Sequence, residues 1–325
     1  MKKRVKIGVI GSGYWGINLV RNFYDLGVLH SVSDLNREAC VKVKRISKNI
    51  DFYKNYKNII EDKYIDAVVI ATPARTHYTL VEQALKNNKH VFVEKPLCLN
   101  LNEGKKLKTI AFKKNLKLMV GHLMLYHPAF NKMKKLISNG KIGNIRYIYS
   151  NRLNLGKLRK DEDVLWSFAP HDISMILNLV ESKLESVDAF GGSYIKKGIK
   201  DTSITTLKFK NKVKAHIFVS WLHPYKDQRL VVIGEKGMLV FADVLLGHNK
   251  LLFYNHKVGW DKNFPLVTKA KGTKISFNFN KEPLRIECKS FLDWITKNKR
   301  PPSDSNEGLK VLDVLDKAKL KLAKS

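Results

Sequence analysis

Six residues near the start of the chain, Gly11-Ser12-Gly13-Tyr14-Trp15-Gly16, have the composition needed to hold a pyrophosphate. Gly11 suits a tight turn, Gly13 lets backbone approach a phosphate, and Gly16 lets a helix pack close to a strand. The flanks agree. Val5 to Ile10 is a run of β-type residues, and Leu19, Val20, Phe23 and Leu26 recur at helical spacing. Phosphates in such a turn meet the free N–H groups and the positive end of the helix. About 20 residues further on, where an acidic side chain binds a ribose 2′-hydroxyl, stands Asp34. A carboxylate there repels the additional phosphate of NADP, so NAD is the expected cofactor and NADP the less favoured one. Arg37, close by, keeps NADP open. Asp34 could also cap the helix that follows.

The elements that must position these groups follow a βα rhythm. Val28 to Val32 reads as a strand leading to Asp34. Ala67 to Ala71 reads as a buried strand ending at Thr72-Pro73, and Thr76 to Lys86 as a helix. His90 to Val93 is a strand ending at Glu94-Lys95-Pro96, Leu101 to Phe112 a helix, and Leu116 to Val120 a further strand. Such alternation predicts a parallel, doubly wound sheet, whose ligands lie at the carboxyl ends of its strands. Gly11, Asp34, Thr72 and Lys95 all fall at such ends. The Lys95–Pro96 bond is a candidate for the cis form, which only a bond preceding proline adopts cheaply.

Beyond residue 122 the pattern changes. Ile145 to Ser150, Ser186 to Phe190, Ile204 to Phe209, Val213 to Ser220, Gln228 to Ile233 and Met238 to Phe241 read as strands with few helices between them, which predicts an antiparallel sheet. Helical patterns close the chain over about Leu284 to Lys297 and Glu307 to Ala323. The fold class expected is α/β: an N-terminal Rossmann domain over residues 1–122, and a C-terminal α+β domain with an open, mostly antiparallel sheet over residues 123–325.

The 325 residues suit two domains, and 44% hydrophobic content is ordinary for globular chains. The 3 cysteines, Cys40, Cys98 and Cys288, are widely spaced, so neither a disulfide framework nor a zinc site is expected, and a reducing cytoplasm suits them. No apolar run approaches the roughly 18 residues of a membrane span. Lys and Arg number 60 against 29 Asp and Glu, a net charge of +31. The lysines are scattered and no aromatic-basic RNA motif accompanies them, so no nucleic-acid partner is expected. A positive field would still attract an anionic substrate.

Taken with Ala71-Thr72-Pro73 and His77, Glu94-Lys95-Pro96, Val120-Gly121-His122, Tyr126 with Pro128, and Pro170-His171-Asp172, the glycine turn resembles that of the glucose–fructose oxidoreductase/inositol dehydrogenase (Gfo/Idh/MocA) family along essentially the whole chain. The resemblance implies Lys95 and His171 as catalytic residues: one holds the alcohol oxygen and the other takes its proton, with the base unassigned between them. It implies a cofactor site of Gly11, Ser12, Gly13, Tyr14, Trp15, Gly16, Asp34, Leu35, Arg37, Thr72, Pro73, His77, Glu94, Lys95 and Pro96. Many members carry an aspartate where this chain has Ser167, four residues before His171, which removes the proton relay such an aspartate supports.

The stretch Asn151-Arg152-Leu153-Asn154-Leu155-Gly156, with Val164 to Asp172, is similar to a branch acting on nucleotide-activated N-acetyl sugars, including the 3-dehydrogenases of UDP-N-acetylglucosamine and its uronic acid. That similarity implies a substrate site drawn from His122, Tyr126, Arg152, Asn154, Trp166 and Asp172, a nucleotide-sugar substrate, and a homodimer or homotetramer. A dehydrogenase of a free sugar or polyol such as inositol, and a non-catalytic nucleotide-sensing protein on the same scaffold, are the alternatives.

Overall fold

The computed structural model describes residues 4–155, 158 and 162–323; Gly156, in the polar stretch named above, lies outside them. The first elements are β1 (Ile7–Ile10), α1 (Gly16–Asp25), β2 (Leu29–Ser33), α2 (Arg37–Ile46), β3 (Asp51–Tyr53), α3 (Lys57–Ile60), β4 (Ala67–Ile70), α4 (His77–Lys86), β5 (His90–Glu94), α5 (Leu101–Lys113) and β6 (Leu118–Gly121). The six strands form one parallel sheet in the order β3-β2-β1-β4-β5-β6. β1, β4 and β6 are buried along their whole length, as strands covered on both faces must be. Leu19, Val20 and Phe23 carry α1 onto this sheet with no exposure at all. The Asn100 side chain starts α5 by accepting from the N–H groups of Asn102 and Glu103.

The chain continues through α6 (Pro128–Ser138), β7 (Ile145–Leu153), α7 (Val164–Leu179), β8 (Leu184–Gly192), β9 (Thr202–Phe209), β10 (Lys214–Ser220), β11 (Asp227–Gly234), β12 (Met238–Ala242), β13 (Leu251–Tyr254), β14 (Lys257–Asp261), β15 (Phe264–Thr268), β16 (Thr273–Lys274), α8 (Pro283–Lys297) and α9 (Ser305–Leu322). Eight strands form a second sheet, β16-β13-β12-β11-β7-β10-β9-β8, antiparallel except where β7 meets β10. This is the mostly antiparallel sheet that the sequence predicts. α7 packs against β7, β9 and β10 with an almost wholly apolar surface. β14 and β15 form a separate hairpin whose residues are all exposed.

Two compact units result: Met1–Leu123 with Glu282–Leu312, and Met124–Lys281 with Asp313–Ser325. The segment from Glu282, expected in the C-terminal domain, therefore groups with the first unit. Its side chains explain this. Phe291 of α8 meets Phe92 of β5 edge-on at 5.8 Å, and Glu282, just before α8, accepts hydrogen bonds from Arg21 (2.5 Å) and Asn22 (3.1 Å) of α1. α9 begins in this unit, with Gly308 lying against Val120. Among the described residues no helix is long and apolar enough to cross a membrane.

Backbone approaches backbone closely at the start of α1, where a Cβ on Gly16 would sit 2.2 Å from the Gly11 carbonyl oxygen. Gly16→Ala should therefore lower stability by about 1–3 kcal/mol through overpacking and weaken dinucleotide retention. Denaturant melts and a binding titration check this; wild-type values for both would contradict it.

Candidate active site

At the carboxyl end of β1 the chain turns through Gly11, which has φ +91° and donates its N–H to Ser33 O at 2.8 Å. A side chain on Gly13 would meet nothing within 4 Å, so the turn is open where a phosphate would approach. No side chain caps α1, and its first turn holds no acidic residue, which leaves that helix end suited to an anion. Tyr14 is 95% exposed and Trp15 38% exposed, and Leu35 and Arg37 also face solvent.

Asp34 stands at the end of β2, beside this turn. Its Oδ2 accepts from the Ser12 N–H (2.7 Å) and hydroxyl (3.3 Å), and its Oδ1 from the Asn36 N–H (2.9 Å). The helix-capping role considered for Asp34 falls instead to Asn36, whose side chain accepts from Glu38 N. α2 starts at Arg37, so the capping position is Asn36 and Asp34 precedes it. Asp34 is thereby left at the strand end, next to the glycine turn.

The ends of β4 and β5 are fastened together by His77. Its Nδ1 lies 2.7 Å from Pro96 O and its Nε2 2.8 Å from Thr72 O. The ring is 1% exposed, and burial lowers its pKa against the raising effect of those two carbonyls. His77, expected among the cofactor-binding residues, thus engages backbone through both ring nitrogens and acts as a brace for Thr72 and Pro96. Thr72 shares a 2.7 Å hydroxyl contact with Thr76, just after Pro73. The Lys95–Pro96 peptide is cis.

Lys95 is half-buried, at the end of β5. Its neighbour Glu94 accepts from Trp15 Nε1 at 2.7 Å, which ties the glycine turn to this strand end. Burial raises the Glu94 pKa, opposed by the Trp15 hydrogen bond and by Lys95. The carboxyl lies over Gly121, where a Cβ would come within 3.1 Å of both its oxygens. His122, next in sequence, is 1% exposed, and its Nδ1 is 2.5 Å from Glu307 Oε2 of α9. The expected pocket-lining role of His122 is therefore replaced, at this nitrogen, by an internal pair.

Sequence reasoning missed Glu307. Asp304 and Glu307 stand three apart at the start of a helix, and Asp304 Oδ1 accepts from Glu307 N at 3.0 Å. That spacing could have marked a capped helix start, but not the partner of Glu307.

The second unit holds the remaining expected residues. His171 is half-buried on α7. The helix opens at Val164, capped by Asp163 accepting from Trp166 N at 3.1 Å, and Pro170 lies inside it. Trp166, 4% exposed, and Tyr126, 3% exposed, are core side chains. Asn154, half-buried, donates its backbone N–H to Ser220 O at 3.2 Å.

Arg152 and Asp172, both expected at the substrate, bond to each other. Arg152 Nε is 2.6 Å from Asp172 Oδ2, with side chains 7% and 1% exposed. Ser150 Oγ donates to Asp172 Oδ1 at 2.5 Å. Asp172 therefore points into the β7–α7 interface while His171, one residue earlier on the helix, points elsewhere. Among the described residues, no group of three or more His, Cys, Asp or Glu could hold a metal ion.

A parallel sheet ordered 3-2-1-4-5-6, with an open glycine turn before an uncapped helix and an acidic residue at the end of β2, defines a dinucleotide-binding Rossmann protein. Residues 5–122 match the Gfo/Idh/MocA oxidoreductase family, NAD-binding Rossmann fold, and residues 130–240 match that family's C-terminal domain. The chain belongs to the Gfo/Idh/MocA family, and its first unit is an NAD-binding domain.

Among its relatives, the myo-inositol 2-dehydrogenase of Thermotoga maritima is 30% identical over 74% of this chain and 75% of its own. The UDP-N-acetylglucosamine 3-dehydrogenase of Acidithiobacillus ferrooxidans is 25% identical over 95% of this chain and 94% of its own. The solved structure of that organism's UDP-N-acetylglucosamine 3-dehydrogenase GnnA superimposes with a TM-score of 0.84 at 23% identity, covering 98% of this chain and 97% of that one.

The buried Arg152–Asp172 pair is testable by stability. Arg152→Met should cost about 3–5 kcal/mol, because it leaves the Asp172 charge buried and unpaired. Adding Asp172→Asn should restore most of that loss in urea melts. Equal destabilisation in the single and double variants would contradict a paired role.

Proposed function

We propose that the protein is an NAD-dependent dehydrogenase that oxidises a secondary hydroxyl, at C3, of a UDP-N-acetylhexosamine or its uronic acid to the 3-keto sugar. The observation that carries this reading is the end of β5, where Lys95 is half-buried beside a carboxyl held by Trp15 of the glycine turn. Bound NAD supplies the hydride acceptor. The glycine turn from Gly11 to Gly16 cradles the pyrophosphate, and Asp34 receives the ribose hydroxyls.

Lys95 holds the alcohol oxygen and stabilises the charge that develops on it. His171 takes the proton, imidazole being the side chain that titrates near neutral pH. The nucleotide sugar is supported by the extent of the match to the A. ferrooxidans 3-dehydrogenase, 95% of this chain. A net charge of +31 also favours a diphosphate ligand. A second reading, oxidation of a free polyol such as inositol, is favoured by the higher identity, 30%, of the T. maritima myo-inositol 2-dehydrogenase.

A screen of UDP-N-acetyl sugars and free polyols, following reduced cofactor by absorbance, separates the two. Turnover with a UDP sugar and competition by UDP are expected; turnover with inositol alone, untouched by UDP, overturns the first reading. Lys95→Ala should reduce turnover by roughly a hundred- to ten-thousand-fold with NAD binding largely kept, and unchanged turnover removes Lys95 from the chemistry. Asp34→Ala should weaken NAD more than NADP; a wild-type preference for NADP contradicts the ribose assignment.

A further inference from the structure

Glu287 of α8 is 0% exposed, and neither of its carboxyl oxygens has a hydrogen-bond partner among the described residues. An ionised carboxylate without water or a donor costs several kcal/mol, so this group is protonated in the folded protein. Its surroundings act in the same direction. Glu94 of β5 and Glu307 of α9 both raise its pKa, in addition to burial. The adjacent Cys288 thiol is pushed up as well, by burial and by Glu287, Glu94 and Glu282. The basic groups facing these carboxyls are Lys95 beside Glu94, His122 on Glu307, and Arg21 on Glu282.

Glu287, Glu307 and His122 are buried, while Glu94 is half-buried. Glu94 is thus the member that opens toward the strand ends, and Trp15 ties it to the glycine turn. With Asp34 on β2 taking the adenosine side, the strand order assigns the nicotinamide half of the cofactor to β4–β6, the half that holds this cluster.

We propose that Glu287, together with Glu94 and Glu307, is a proton-linked acidic cluster that distinguishes oxidised from reduced cofactor. The oxidised nicotinamide ring carries a positive charge and the reduced ring is neutral. A cation at the cluster favours its ionised form, so one proton leaves the cluster for the buffer when NAD⁺ binds. Oxidation of a secondary alcohol by NAD⁺ yields ketone, NADH and one proton. As the ring becomes neutral the cluster takes up a proton, which balances the one the alcohol loses, and keeps it through NADH release until the next NAD⁺ binds. The inference rests on the nicotinamide half lying over β4–β6, as in the function proposed above.

The test is calorimetric titration of the full-length protein with NAD⁺ and with NADH, in phosphate and in Tris at matched pH. The difference between buffers counts the protons exchanged. Between the ordinary carboxyl range and the raised value of Glu287, NAD⁺ should release up to one proton, and its affinity should rise with pH by up to about tenfold per pH unit. NADH should exchange none. Glu287→Gln should abolish both the release and the slope while still binding NADH.

Without dinucleotide, wild-type stability should fall as pH rises from the ordinary carboxyl range toward the raised value of Glu287, because the unfolded chain ionises first; Glu287→Gln should remove that fall in urea midpoints. Should this variant not fold, the wild-type infrared difference spectrum on adding NAD⁺ should lose the C=O band of a protonated carboxyl. NAD⁺ binding without proton exchange, or with exchange unchanged in Glu287→Gln, overturns the proposal and leaves the cofactor placement standing. A protein that binds neither NAD⁺ nor NADH overturns both.

Discussion

Six parallel strands end on the same side of one sheet, and the polar groups of the first unit gather there because of it. A parallel sheet covered on both faces has no other edge at which backbone and side chains can meet a ligand. Everything assigned to the cofactor follows from that edge: Gly11 after β1, Asp34 after β2, Thr72 after β4, and Glu94-Lys95 at the end of β5. The strand ends are also fastened to one another. Ser12 bonds Asp34, Trp15 bonds Glu94, and His77 spans Thr72 and Pro96. Dinucleotide binding would then meet an arrangement already fixed by short polar contacts, which lowers the ordering cost of binding.

The second unit solves a related problem by different means. α7 buries Val164, Leu165, Ala169, Ile173 and Ile176 together with Asp172. The buried Arg152–Asp172 pair, with Ser150 on the same carboxylate, gives it one register, since displacing either charge leaves the other unpaired. His171 inherits its position on β7 from that register. Four residues before His171, where the family resemblance implies an aspartate in many members, this chain has a buried serine, Ser167.

Much of this was legible in the sequence, and the parts that were not share a physical cause. Local periodicity located β1, β4, β5 and β6, with α1, α4 and α5, because buried parallel strands are continuous apolar runs. The glycine turn and Glu94-Lys95-Pro96 were legible because their chemistry is local. Pairing between distant polar residues was not. His77, His122, Arg152 and Asp172 have the same appearance in a sequence whether they face a ligand or each other, and each faces a partner within the fold.

Glu287 was the least visible, since a glutamate in an amphipathic helix reads as solvated until α8 is seen against β5. The grouping of α8 with the first unit depends on Phe291 meeting Phe92, a contact between residues far apart in the chain. The hairpin of β14 and β15 has no buried face, so no alternation of apolar and polar residues announces it.

The most direct measurement of the central claim is a crystal structure of the protein with NAD and UDP-N-acetylglucosamine bound. The account predicts the pyrophosphate over Gly11 to Gly16, the adenine ribose on Asp34, and the Lys95 ammonium and His171 imidazole both within hydrogen-bonding reach of one sugar hydroxyl facing the nicotinamide. A complex in which Lys95 and His171 face separate surfaces, or in which the nicotinamide lies away from the end of β5, would contradict it.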